Sequence, residues 1–212
     1  MTVTAEYPLE LIPAQDGAVP SNRWTWTRGE YHHASDYGLF GNTRVELLDG
    51  EILIMAGQKT AHFTSVQLTA DLLEEAFGSS YRVRQQGPIV LSDRSEPEPD
   101  IAVAFGKIKD YADHHPAPSE LHLLVEISDA TLALDRGKKM SAYARERISE
   151  YWIVNLINRQ VEVFRDPVTA ESGSFYKTTV ILLEGDFLSP LNAPQSTIAV
   201  SDLLPPRPNS TL

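Results

Sequence analysis

Residues 99–128 read PDIAVAFGKIKDYADHHPAPSELHLLVEIS, and the architecture turns on this stretch. Ile101–Phe105 and His122–Ile127 are nearly unbroken apolar runs, the pattern of central strands covered on both faces. Pro99-Asp100 opens the first run, and Glu126 closes the apolar segment Leu121–Val125. The chain between them suffices for a surface loop and a return strand, so Asp100 and Glu126 are predicted to meet at one end of an antiparallel pair.

Working outward, Arg44–Met55 carries β-rich sequence on either side of Asp49-Gly50, a strong two-residue hairpin signal. In His62–Phe77, Phe63, Val66, Ala70, Leu73 and Phe77 recur at helical spacing, predicting an amphipathic helix stopped by Gly78. A shorter helix is expected over Thr27–Tyr37, with Thr27 as N-cap, Glu30 closing a capping box, and a stop near Gly38. Further strands are expected at Tyr81–Gln85 and Ile89–Leu91. A second long helix is expected over Asp135–Arg147, and a hairpin of Tyr151–Leu156 with Gln160–Arg165 turns at Ile157-Asn158-Arg159. Phe175–Leu183, Phe187–Leu188 and Thr197–Val200 complete the β segments. The order predicts a mixed α/β domain with antiparallel hairpins; crossover helices are too few for a regularly wound βαβ sheet.

The chain has 212 residues, 42% hydrophobic and 22% charged, an ordinary globular composition. We expect one domain over residues 24–204, with an N-terminal arm at 1–23 and a tail at 205–212, where Pro8, Pro13, Pro20, Pro205, Pro206 and Pro208 punctuate the ends. Without cysteine, disulfides, thiolate metal sites and cysteine nucleophiles are excluded, and the reducing cytoplasm is the expected compartment. There is no apolar run of membrane-spanning length and no signal-like start, and Asn209-Ser210-Thr211 reads as a frayed tail. A net charge of -11 argues against general adhesion to nucleic acid or anionic membranes, so a nucleic-acid partner needs a locally basic groove. A symmetric homodimer is one way to build that groove.

Two strand-borne carboxylates brought together raise each other's pKa unless a cation sits between them. Mg2+ prefers one or two carboxylates completed by waters and phosphate oxygens, and Mn2+ is the natural substitute. Asp135, Lys139 and Tyr143 follow at spacings of four on the expected helix, placing an ammonium near the acids. Two carboxylates and a lysine make a minimal phosphodiesterase site.

Pro99-Asp100, Glu126-Ile127-Ser128, Asp135 with Lys139 and Tyr143, and Glu150-Tyr151-Trp152-Ile153-Val154 resemble the Uma-type restriction endonuclease family of the PD-(D/E)XK nuclease superfamily. Glu46-Leu47-Leu48-Asp49-Gly50-Glu51 resembles an early acidic segment of that family, and the likeness runs from about Thr27 to Leu204. It implies a restriction-endonuclease-like core, a Mg2+ requirement and cleavage of nucleic acid, DNA in the first instance. It also implies Asp100, Glu126 and Glu46 as metal ligands and Lys139 as the catalytic cation, with Lys138 its neighbour. Ser128 stands where the superfamily carries its lysine, and within the Uma-type group that role moves to the following helix. Asn155 replaces a usual Asp and is expected to concern a turn.

The simpler readings are a strand cap for Asp100, a structural Glu126–Lys139 salt bridge, and a helix cap for Asp135. His62 is expected either to reach the site or to bond a nearby loop. His32-His33 and His114-His115 are expected at the surface, Glu96, Glu98 and Asp110 as solvated charge, and Trp24, Trp26 and Trp152 as packed side chains. Arg82, Arg84 and Lys107 are weak candidates for phosphate-backbone contacts. The serine-hydrolase elbow and the phosphate loop are absent. The competing function is a nuclease-like scaffold that binds nucleic acid or protein without cutting.

Overall fold

The structure is a computed structural model that describes residues 23–55 and 57–207. Apart from Arg23, the expected N-terminal arm lies outside the described residues, as does the sequon at 209–211. Helix α1 (Arg28–Asp36) begins with the expected capping box, the amide of Glu30 donating to Thr27 Oγ1 while Glu30 accepts from the Thr27 amide. Strands β1 (Val45–Leu48) and β2 (Glu51–Ile54) form the expected hairpin. Its turn residues Asp49 and Gly50 have φ of 52° and 74°. That left-handed backbone suits Asp-Gly, and a Cβ on Gly50 would lie 2.8 Å from that of Thr25.

Helix α2 (Thr60–Phe77) is followed by β3 (Tyr81–Gln85), β4 (Ile101–Phe105) and β5 (Leu121–Ser128). Next, α3 (Leu132–Leu134), a π turn at Asp135–Lys139 and α4 (Met140–Arg145) run on as one helix. It starts before the expected Asp135 and ends at Arg145, because Arg147 turns out with φ 61°. Strands β6 (Glu150–Asn155), β7 (Gln160–Ala170) and β8 (Gly173–Leu183) follow. The chain ends with β9 (Phe187–Leu188), β10 (Ile198–Ala199) and α5 (Val200–Leu203).

Six strands form one sheet in the order β3-β4-β5-β6-β7-β8. Only the β5–β6 pair within it is parallel, and the helix joining those two strands supplies the crossover that a parallel pair requires. The expected mixed α/β sheet flanked by helices is what the structure shows. Alternation along β5 divides the core. Leu123, Val125 and Ile127 pack beneath Val66, Ala70 and Leu73 of α2, with Leu203 of α5 in the same cluster. Leu124 packs on the opposite side with Tyr143 and Ala144 of α4, Tyr151 of β6 and Leu48 of the hairpin. The helical crossover and the hairpin therefore share one face of the sheet, which is the face Glu126 takes by alternation.

Ile89–Leu91 departs from expectation and lies outside any named strand. Ile89 and Leu91 are buried, yet their amides donate to the carbonyls of Pro97 and Ser95, and that of Val90 donates to Pro116. Pro88, Pro97 and Pro99 have no amide to offer, so no regular ladder can continue there. Trp24 is 63% exposed, against its expected packing, whereas Trp152 is fully buried. Among the described residues no helix is long and apolar enough to cross a membrane.

Candidate active site

The β4–β5 register sets Ile101 opposite Val125, and one step further along the same pair brings Asp100 opposite Glu126. Asp100 Oδ2 accepts the amide of Ile127 at 2.9 Å and lies 3.1 Å from His62 Nε2; Oδ1 accepts from Gln86 Nε2 at 3.2 Å. His62 reaches this point from the first turn of α2. Burial pulls its pKa down, but the hydrogen bond to Asp100 together with the charges of Asp100 and Asp129 outweighs it, and the net shift is upward. Gln86, held at φ 51°, also donates its amide to the Asp100 carbonyl.

Glu126 is 3% exposed, and its Oε1 accepts from Lys139 Nζ at 2.9 Å and from Tyr143 Oη at 2.7 Å. Lys139 Nζ is also 3.4 Å from Glu46 Oε1, and Glu46 Oε2 accepts the amide of Glu98 at 2.9 Å. Burial raises Glu126 to about 8 despite the attraction of Lys139. Lys139 moves upward: burial opposes its charge, but Glu126, Glu46 and Asp135 more than compensate. Asp135, also raised by burial, accepts from Thr131 Oγ1 at 2.7 Å.

Glu46, His62, Asp100, Glu126, Asp135 and Lys139 line a cleft that is open to solvent. Its wall carries six carboxylates, those of Glu46, Glu98, Asp100, Glu126, Asp129 and Asp135, against the cations Arg44, Lys59 and Lys139. All four expected site residues, Asp100, Glu126, Glu46 and Lys139, are therefore in one place, with His62 and Asp135 beside them. Lys138 points elsewhere and bonds Glu51 at 2.5 Å, so Lys139 is the lysine that reaches Glu126. Ser128, in the superfamily's lysine position, is buried outside the cleft lining.

The profile of the family described as "Uma2: Putative restriction endonuclease" matches residues 30–201. The chain belongs to the Uma2 family. It thereby joins a family of nucleases. One such structure is described as "a putative nuclease belonging to DUF820" from Anabaena variabilis ATCC 29413. It superposes with a TM-score of 0.61 at 14% identity, over 84% of this Uma2 chain and 97% of that one. That likeness is one of fold. NucC of P. aeruginosa ATCC27853 in its cAAA-bound form and apo NucC of E. coli MS115-1 overlap at TM-scores of 0.31 and 0.30, with 14% and 11% identity. They cover 57% and 74% of this chain and 48% and 58% of their own. No curated protein matches the chain.

Among the described residues, no three His, Asp or Glu side chains form a ready-made ion cage. The donor chemistry still suits a hard divalent ion. The groups are oxygen donors in carboxylate excess, and Mg2+ needs only one or two carboxylates besides waters and phosphate. Of the histidine pairs, His32 bonds Glu96 at 2.8 Å, and His114 bonds Asp113 at 2.8 Å. Two expected solvated acids are corrected. Glu96 is 4% exposed, tied down by Arg28 and His32, and Glu98 stands in the cleft wall paired with Arg44. Asp110 is exposed as expected and caps the Lys107 amide. Arg84 is engaged with Pro88, His115 and the Tyr111 ring. Asn155 accepts the Asn158 amide, the turn role expected of it.

Gln86, Arg44, Lys59 and Asp129 escaped the sequence reading. Gln86 precedes Gly87-Pro88 with no motif to mark it, whereas Asp129 directly follows Ser128 and was findable as an acid next to the second motif.

Proposed function

We propose that this protein is a Mg2+-dependent endonuclease hydrolysing phosphodiester bonds of nucleic acid, with DNA as its substrate. The supporting observation is the convergence, at one cleft, of Asp100 and Glu126 from adjacent strands, Glu46 from the hairpin and Lys139 from the crossover helix. Asp100, Glu126 and Glu46 would hold the ion, for which Mn2+ can substitute. When bound, such an ion lowers the pKa of a water and neutralises charge on the phosphodiester.

The chain's own groups do the rest. Ile127, His62 and Gln86 hold both oxygens of Asp100 in place, so that its carboxylate needs no reorganisation on binding. Tyr143 fixes Glu126 from within the protein core. Lys139 supplies a positive charge to the attacking water or the scissile phosphate, and Lys59, just ahead of α2, stands at the cleft wall. A symmetric dimer would add a second positive face to a cleft that is otherwise acidic.

Purified protein is expected to nick supercoiled plasmid with Mg2+ or Mn2+ and to stop with EDTA. If Asp100→Ala and Glu126→Ala cut as fast as wild type, the assignment is wrong. One observation favours the scaffold reading: Lys139 already contacts both glutamates, so the acids are satisfied without an ion. Calorimetry separates the two, since a scaffold takes up no Mg2+ at millimolar concentration.

A further inference from the structure

Lys139 is oddly placed for a group that must meet a phosphate. Its side chain is 7% exposed, and those of both glutamates it touches are 4% exposed. The Oε1 atoms of Glu126 and Glu46, at 2.9 and 3.4 Å from its ammonium, belong to the very groups a divalent ion needs. The turn that carries it is held firmly. Arg136 makes a two-pronged bond to Glu162 at 2.7 and 2.6 Å, Asp135 is tied to Thr131, and Lys138 to Glu51. This turn is the π segment, a local register change that commonly marks functional positions in helices.

An ammonium and a divalent cation repel each other at this range, so they compete for the same pair of carboxylates. A lysine displaced from buried carboxylates needs another anion close by, since an unpaired buried charge is costly. In a nuclease that anion is the substrate. We infer that Lys139 is the resident cation of the site: it holds Glu46 and Glu126 in the free protein, yields them to the divalent ion, and transfers its ammonium to the phosphodiester. Metal and nucleic acid therefore bind with positive cooperativity, and each raises the affinity for the other by the same factor. The free protein binds Mg2+ weakly because its own lysine occupies the seat. This inference rests on the nuclease reading.

The test is a calorimetric Mg2+ titration of wild type, Lys139→Met and Lys139→Arg, at mildly alkaline pH, with and without a cleavage-resistant phosphorothioate oligonucleotide. Without oligonucleotide, Lys139→Met is expected to bind Mg2+ about tenfold tighter than wild type, whereas Lys139→Arg stays near wild type. The oligonucleotide should tighten Mg2+ binding to wild type by about tenfold, within the usual range of coupling between sites, and leave Lys139→Met nearly unchanged. Because Lys139→Met leaves two buried acids without their cation, its folding is followed by thermal melting. A low melting temperature in EDTA that recovers with Mg2+ by more than wild type gains is the expected result, as a ligand stabilises in proportion to its occupancy. Equal or weaker Mg2+ binding by Lys139→Met, or no extra recovery on melting, overturns the inference while leaving a metal-binding wild type intact. Absence of Mg2+ uptake by every variant, with or without oligonucleotide, overturns the nuclease reading and the inference with it.

Discussion

Lys139 Nζ donates to Glu126 Oε1 across thirteen residues of sequence, and Tyr143, four residues further along the helix, donates to the same oxygen. Two donors from one helical stripe thus converge on one acid at the end of a neighbouring strand. That relationship depends on the parallel β5–β6 pair, because only a crossover helix can return over the strand that carries Glu126.

Tyr143→Phe removes one donor from a buried carboxylate while keeping the ring that packs on Tyr151. It should cost about 1–3 kcal/mol in urea denaturation, the usual penalty for a lost bond to a buried polar group. Cleavage should persist, since Lys139 still reaches Glu126. A variant as stable as wild type would show that this hydroxyl does not anchor the acid.

The pH response follows from Glu126, whose carboxyl is raised from 4.5 to about 8 by burial. The protonated form competes with a cation, so Mg2+ uptake should grow from pH 6 to about 8 and level off above it. For folding in EDTA the sign is opposite to the usual carboxylate case. The unfolded chain ionises near 4.5 and the folded one near 8, so metal-free stability should decline across that window as pH rises. Calorimetry for uptake and urea midpoints for stability check both; a flat uptake profile would contradict the assignment.

Glu162 anchors the π turn through Arg136 and also accepts from Asn155 and Gln160. Although burial pushes its carboxyl up, these hydrogen bonds prevail and hold it below the ordinary range. Glu162→Gln should lower stability by about 1–2 kcal/mol, discounted because Arg136 is 44% exposed. It should also slow cleavage by loosening the turn that presents Lys139. Urea denaturation and plasmid nicking read the two effects. Unchanged cleavage in a destabilised variant would mean that the turn holds its position without this clamp.

Gly50→Ala tests the hairpin that delivers Glu46. A φ of 74° and a neighbour 2.8 Å from the new Cβ predict a loss of about 1–3 kcal/mol by thermal melting. A neutral result would mean that the Asp49-Gly50 turn relaxes freely.

What the sequence disclosed and what it concealed divide along the range of the interactions. Asp49-Gly50 announced its hairpin and Thr27 with Glu30 announced a helix start, because turn and cap chemistry is local. The antiparallel placement of Asp100 against Glu126 was legible because two apolar runs flank one loop. Ile89–Leu91 looked like a strand, yet the prolines across from it supply no ladder donors. The π turn had no periodic signature, since one extra residue in a turn barely disturbs the apolar spacing over so short a helix. Glu96 and Glu98 read as solvated because their partners Arg28, His32 and Arg44 lie 54 to 68 residues away. Gln86 became visible only when its contact with Asp100 was in view.

The proposed nuclease chemistry requires a hard ion seated between Asp100 and Glu126. Crystals of the protein soaked in Mn2+, with diffraction measured for anomalous signal, test it most directly. One strong peak is expected about 2 Å from carboxylate oxygens of both Asp100 and Glu126, lost in Glu126→Gln. A peak elsewhere, or none in a crystal whose cleft is open to solvent, would contradict it.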